Sequence, residues 1–80
     1  MRKSLRSNRH KLLCDLLAEA RGRSGLTQEQ VADRLGKPQS FIAKTEKGDR
    51  RLDVVEFIAL TDAMGADAVK ILKALRRTKL

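Results

Sequence analysis

Hydrophobic residues recur along this chain at the three- and four-residue intervals of α-helices, and no segment alternates strictly as a β-strand does. The clearest pattern lies in residues 27–48, where it predicts two short helices joined by a tight turn. Thr27 and Gln30 have the spacing of a capping box, in which each side chain accepts a hydrogen bond from the other residue's backbone N–H. Gly36 supplies the left-handed backbone that commonly ends a helix, so the first of the two helices is predicted to end just before it.

The second of these helices is predicted from about Pro38 to Lys47, because proline suits a helix start and Gly48 suits the end. One face of it is small, amide-bearing or cationic and has no carboxylate: Gln39, Ser40, Ala43, Lys44 and Lys47. The opposite side carries Phe41, Ile42 and Thr45. Amides can pair with adenine edges, and lysine can reach guanine or phosphate. The polar face therefore has the chemistry of a probe of the DNA major groove.

Three further helices are predicted around this pair. The first runs from about residue 7 to residue 21 or 23, and its apolar side consists of Leu12, Leu13, Leu16, Leu17 and Ala20. The fourth covers about 54–64 after a second cap pattern, Asp53 with Glu56, and its predicted inward residues are Val55, Phe57, Ile58 and Met64. Asp67 caps a fifth helix, whose apolar stripe is Ala68, Ile71, Leu72 and Leu75.

Residues 27–48 resemble the helix-turn-helix of the phage-repressor and Cro-like (XRE) family of bacterial DNA-binding domains. The matching residues, in order, are Gln28, Ala32, Leu35, Gly36, Ile42 and the ending Glu46-Lys47-Gly48. The sequence departs from the family pattern at Lys37 and Thr45, where an apolar residue is usual. The stem of Lys37 can still pack while its ammonium reaches water or phosphate. The hydroxyl of Thr45 either leaves a small gap or bonds a carbonyl one turn back.

The resemblance extends over residues 9–75 and implies an all-α, five-helix, lambda-repressor-like DNA-binding domain. Residues 1–8 are predicted to form a basic N-terminal arm, either disordered or part of the first helical turn. Residues 76–80 are predicted to form a basic C-terminal tail.

The resemblance also implies roles for individual residues. Those that match the family's base-reading positions are Gln39, Ser40, Ala43 and Lys44. Gln28 matches a glutamine that clamps a DNA phosphate at a helix N-terminus. Further phosphate contacts are expected from Lys37, Lys47, Arg50 and Arg51. The family commonly pairs the Glu at the end of this helix with an Arg late in the first helix, which implies an ion pair between Arg21 and Glu46, with Arg23 as the alternative partner.

The composition agrees with a nucleic-acid partner. The chain has 18 Lys and Arg against 10 Asp and Glu, and this net charge of +8 indicates a polyanionic partner, nucleic acid before membrane. The single cysteine, Cys14, excludes an internal disulfide and predicts a reducing cytoplasm. His10 is predicted to be solvated, without partners for a metal site. No catalytic constellation is present, so neither enzymatic activity nor a cofactor is expected.

The sequence thus predicts a sequence-specific transcriptional regulator, with repression as the expected mode, that binds double-stranded DNA. A homodimer on a pseudo-palindromic operator would double the number of bases that are read, and the fifth helix or the loop before it is expected to form its interface. The alternative is an antitoxin or adaptor module whose main partner is a protein. Binding to a membrane surface ranks below both, because neither terminus combines strong basicity with a large apolar face.

Overall fold

The computed structural model describes residues 7–79, which form five α-helices and no strand. They are α1 (Asn8–Ser24), α2 (Gln28–Leu35), α3 (Gln39–Lys47), α4 (Val54–Met64) and α5 (Ala68–Arg77). The predicted all-α, five-helix fold is confirmed. Most of the predicted basic arm lies outside the described residues. Of the predicted tail, Arg76 and Arg77 form the last turn of α5, and Arg9 in α1 holds this end by donating from Nε to the Thr78 carbonyl at 2.8 Å.

The capping signals act where the sequence places them. In the Thr27–Gln30 box the two reciprocal hydrogen bonds measure 2.9 and 3.1 Å. The Asp53–Glu56 box starts α4 in the same way, with bonds of 2.7 and 3.0 Å. Gly36 ends α2 with φ +67°, a backbone conformation that residues with a Cβ rarely adopt. These local bonds fix the lengths of α2 and α4 before any tertiary packing is considered.

The core lies where the five helices meet. Its buried side chains come from every helix: Leu17, Val31, Ala32, Ile42, Phe57, Leu60, Met64 and Ile71. Thr45 is buried among apolar residues, and its hydroxyl donates to the Phe41 carbonyl at 2.7 Å. Burial of a hydroxyl is costly unless it is hydrogen-bonded, and this bond to the preceding turn satisfies it. The departure from the family pattern at Thr45 is therefore accommodated within α3.

The predicted inward face of α4 is partly wrong. Val55 and Ile58 are 77% and 43% exposed, whereas Phe57, Leu60 and Met64 enter the core as a stripe on the other side of the helix. α4 is apolar on nearly all sides, so its periodicity does not distinguish the core face. Burial of Thr61, whose hydroxyl donates to the Phe57 carbonyl at 3.1 Å, shows which face packs inward.

His10 was predicted to be solvated, and the structure contradicts this. Its side chain is only 8% exposed, and its ring Nε2 lies 3.8 Å from the Cys14 Sγ one turn along α1. Ser7 caps α1 by accepting from the His10 backbone N–H, so His10 lies in the first turn of the helix. Burial raises the pKa of the Cys14 thiol, so this thiol stays protonated as a small core side chain.

Candidate nucleic-acid interface

The helix pair α2 and α3 holds one face of α3 in the core and leaves the other in solvent. Ala32 and Ile42 are each only 1% exposed. The small side chain of Ala32 allows the two helices to approach closely. The Lys37 N–H donates to the Ala32 carbonyl at 3.0 Å, which shapes the turn between the helices. The exposed residues of α3 include Gln39, Ser40, Lys44 and Lys47, and Ala43 between them is half-buried. The five residues of the predicted polar face therefore share one side of α3.

A chain of four polar side chains supports the start of this face. Arg21 in α1 donates to Glu46 in α3 through two bonds, Nε to Oε2 at 2.7 Å and Nη2 to Oε1 at 3.1 Å. Gln28 donates to the same Oε1 at 3.0 Å, and its own Oε1 accepts from Gln39 Nε2 at 2.6 Å. The expected Arg21–Glu46 ion pair is therefore present, and it is linked through Gln28 to the first residue of α3.

The hydrogen bonds of this network favour the charged form of Arg21 and hold its side chain in place. The hydrogen bond to Glu46 is the main cause that raises the pKa of Arg21, and the nearby negative charge adds to it. A third guanidinium nitrogen, Nη1, donates to the Leu26 carbonyl at 3.0 Å, in the link between α1 and α2. Gln28 presents its side chain at the N-terminus of α2, where helix geometry favours an anion. The structure thus pre-orients Gln28 and Gln39 before any DNA is bound.

The four cations expected to bind phosphates have different surroundings. Lys37, Lys47 and Arg51 are exposed at the two ends of α3. Arg50 is half-buried, and its Nη2 and Nη1 lie 3.2 and 3.4 Å from the two carboxylate oxygens of Glu56. Its Cζ also lies over the Phe41 ring, 4.4 Å from the centroid. Arg50 is therefore paired within the protein in the absence of DNA, and its contact with a phosphate stays a prediction.

Sequence reasoning did not identify Glu56 as part of this region. The signal was available, because a capping-box Glu carries a carboxylate beside a loop that contains two arginines. A hydrogen bond from the Asp53 backbone is the largest cause that lowers the pKa of Glu56, followed by the hydrogen bond from Arg50. The carboxylate is thus held ionised next to Arg50.

The comparison with known proteins agrees with this geometry. A family described as a helix-turn-helix domain matches residues 12–77. An XRE-family like protein from Pseudomonas syringae pv. tomato str. DC3000 is 45% identical and superposes with a TM-score of 0.84, over 94% of this chain and 92% of that one. The chain belongs to the XRE-like helix-turn-helix family. It is a DNA-binding transcriptional regulator of this type.

Other relatives of this XRE-like protein are regulators as well. The HTH-type transcriptional regulator y4dJ of Sinorhizobium fredii, described as uncharacterized, is 34% identical over 61 residues, which are 76% of this chain and 79% of that protein. The restriction-modification controller protein C.AhdI from Aeromonas hydrophila is 26% identical, with a TM-score of 0.71 over 78% of this chain and 94% of that one. No helix among residues 7–79 combines the length and apolarity needed to cross a bilayer.

Proposed function

We propose that this XRE-like protein is a repressor that binds a pseudo-palindromic operator as a homodimer. The observation that carries the proposal is the exposed face of α3, where Gln39, Ser40 and Lys44 stand on a helix whose other side is locked in the core. An amide bound to adenine, or a lysine bound to guanine, discriminates by about 1–3 kcal/mol per base pair. Ala43 lets the backbone of α3 approach the base edges.

The phosphate contacts would come from both ends of the same unit. Gln28 lies at the N-terminus of α2, and the exposed Lys37, Lys47 and Arg51 flank α3. Such contacts supply affinity and orientation, while the base contacts supply specificity. The net charge of +8 supports this arrangement, because the protein must approach a dense row of phosphates.

The dimer interface is proposed on α4 and α5. Among residues 7–79, every large hydrophobic side chain that stays exposed belongs to these two helices, and we name the set the α4–α5 apolar face: Val54, Val55, Ile58, Val69 and Leu72. Exposed apolar patches of this kind commonly mark an interface. Of the apolar residues of α5, Ile71 is buried and Leu75 packs against the core, so neither is available to a partner.

The test is selection of binding sites from random double-stranded DNA, followed by gel shift on the recovered site. The expected result is a palindrome with half-sites about one helical turn, ~34–36 Å, apart. A recovered site with one half scrambled serves as the matched control and should bind much more weakly. Binding that is indifferent to sequence would contradict the proposal.

Sedimentation at micromolar protein, with and without the recovered site, tests the homodimer separately. A protein that stays monomeric in both cases would show that the α4–α5 apolar face serves another partner. That result would favour the alternative function, an antitoxin or adaptor module, and it leaves the base-reading role of α3 to be judged by the gel shift alone.

A further inference from the structure

Four side chains form a cluster at the junction of α3 and α4, and we name it the Phe41 cluster: Lys37, Phe41, Arg50 and Glu56. Two cations lie over the Phe41 ring, with Arg50 Cζ at 4.4 Å and Lys37 Nζ at 5.4 Å from the centroid. Cations in this position are attracted by the negative face of the ring. The Glu56 carboxylate offsets their mutual repulsion, and its pKa is lowered by its hydrogen bonds and by the charges of Arg50 and Lys37.

The partners of Arg50 define its geometry closely. Both terminal nitrogens reach Glu56, at 3.2 and 3.4 Å, while the guanidinium Cζ lies over the Phe41 ring. Glu56 Oε1 is in turn held at 3.0 Å by the Asp53 backbone N–H of the capping box. A planar fork that stacks and pairs bidentately is a property of arginine that lysine does not share. Arg50 therefore fits an internal contact better than a contact with DNA phosphate.

The cluster joins α3 to the first turn of α4 at the surface. Below it, Ile42 of α3 and Phe57 of α4 belong to the same buried core, so the cluster adds a polar connection to an apolar one. Phe41 belongs to α3 and Glu56 to the first turn of α4, with Arg50 between them in the connecting loop. Val54 and Val55, which belong to the α4–α5 apolar face, lie in the same first turn of α4 as Glu56.

We propose that the Phe41 cluster positions α3 relative to the α4–α5 apolar face, and thereby sets the half-site spacing that the dimer accepts. This inference rests on the proposed homodimer. In the proposed dimer, the α4–α5 apolar face holds the two protomers together, while α3 of each protomer enters the major groove of one half-site. A rotation of α3 relative to α4 would therefore displace the contacts in both half-sites. Arg50 is accordingly a positioning residue.

The experiment measures the dissociation constant of the full chain for the selected operator and for versions with one base pair inserted or removed between the half-sites. Each variant removes one feature of the cluster. Arg50→Lys keeps the charge but loses the fork, and Phe41→Leu keeps the volume but loses the ring. Glu56→Gln keeps an amide oxygen for the capping box but loses the carboxylate. Lys11→Gln is the matched control, because it removes one exposed cation of α1 that lies outside the cluster and outside the proposed DNA contacts.

The expected result is that the three cluster variants lower the preference for the correct spacing by about fivefold, whereas Lys11→Gln leaves it unchanged. The salt dependence of binding gives an independent reading with Arg50→Gln. If Arg50 contacted phosphate, this variant would lower the slope of log K against log salt by about 0.9. The proposal predicts that Arg50→Gln leaves this slope unchanged. It also predicts that Arg50→Lys does not restore the preference for the correct spacing.

Two results would overturn the inference, and they are distinguishable. A wild-type dimer with a clear spacing preference that all three variants retain would refute the positioning role alone. A wild-type protein that binds single half-sites as a monomer would refute the homodimer and this role together. Thermal unfolding of each variant identifies any that fail to fold, and the remaining cluster variants then decide the question.

Discussion

Arg21 and Glu46, 25 positions apart in the chain, form a two-bond ion pair that joins α1 to the end of α3. The side chains are only 22% and 11% exposed, so water screens the pair weakly. Gln28 donates to the same carboxylate and accepts a hydrogen bond from Gln39, so the side chain of Gln39 is also held in place. The pair thus connects the stability of the domain to the orientation of the residues proposed to contact DNA.

Glu46→Ala is expected to destabilise the domain by about 2–3 kcal/mol, because it leaves the partly buried Arg21 guanidinium without its anion. The measurement is equilibrium unfolding in urea. Glu19→Ala is the matched control, since Glu19 pairs with Arg23 on the surface, where the two side chains are 54% and 77% exposed. The control should change the free energy of unfolding by less than about 1 kcal/mol. Equal losses in both variants would refute the structural role assigned to Glu46.

Lys44→Ala and Lys47→Ala are expected to weaken DNA binding in different ways. Lys44 stands in the middle of the exposed face of α3, so its loss should relax the preference at one base pair by about 1–3 kcal/mol. Lys47 stands at the helix end, so its loss should weaken binding to all sequences and lower the salt slope by about one unit. Titrations on specific and random duplexes at several salt concentrations measure both effects. Equal losses on both duplexes for both variants would contradict this division of roles.

Leu72→Glu is expected to dissociate the proposed homodimer while the monomer keeps its helical content. The side chain is exposed, so the fold does not depend on it, but a carboxylate buried in the interface would be costly. Sedimentation should show a dissociation constant raised by about 100-fold or more. Asn8→Glu inserts the same charge at an exposed position of α1 and should leave the dimer intact. A dimer unaffected by Leu72→Glu would exclude this face as the interface.

Acid is expected to remove the stabilising contribution of Glu56. The pKa of this carboxyl is lowered in the folded protein from its ordinary value of 4.5, so its contribution is fully present above pH 4.5 and is lost as pH falls through the lower folded value. Urea unfolding of wild type and Glu56→Gln between pH 7 and about pH 3 measures this. The stability gap between them should close towards the acid end. A gap that stays constant with pH would refute the assignment.

The same comparison in an Arg50→Gln background provides the control. The hydrogen bond from Arg50 lowers the pKa of Glu56, and only the hydrogen bond from the Asp53 backbone lowers it more. Without Arg50, the gap at neutral pH should be smaller, and what remains should reflect the capping bond and the charge of Lys37.

The sequence by itself determined the bounds of α2, α3 and α4 to within a residue, and the polar face of α3. Capping boxes at Thr27 and Asp53 and the turn at Gly36 act through hydrogen bonds and backbone preferences that span four residues or fewer. The spacing of Gln39, Ser40 and Lys44 likewise follows from the pitch of one helix. The pairing of Arg21 with Glu46 came from the resemblance to a family and not from spacing, because no local rule joins residues so distant in the chain.

Only the tertiary structure decided which face of α4 is buried, where His10 lies and what Arg50 contacts. α4 is apolar on most sides, so its core face depends on how α1, α2 and α5 surround it. His10 is buried because α1 packs against its neighbours from its first turn. Arg50 could reach either solvent or Glu56, and the position of the Phe41 ring selects Glu56. In each case the outcome depends on contacts between separate helices, which the pattern along one helix does not encode.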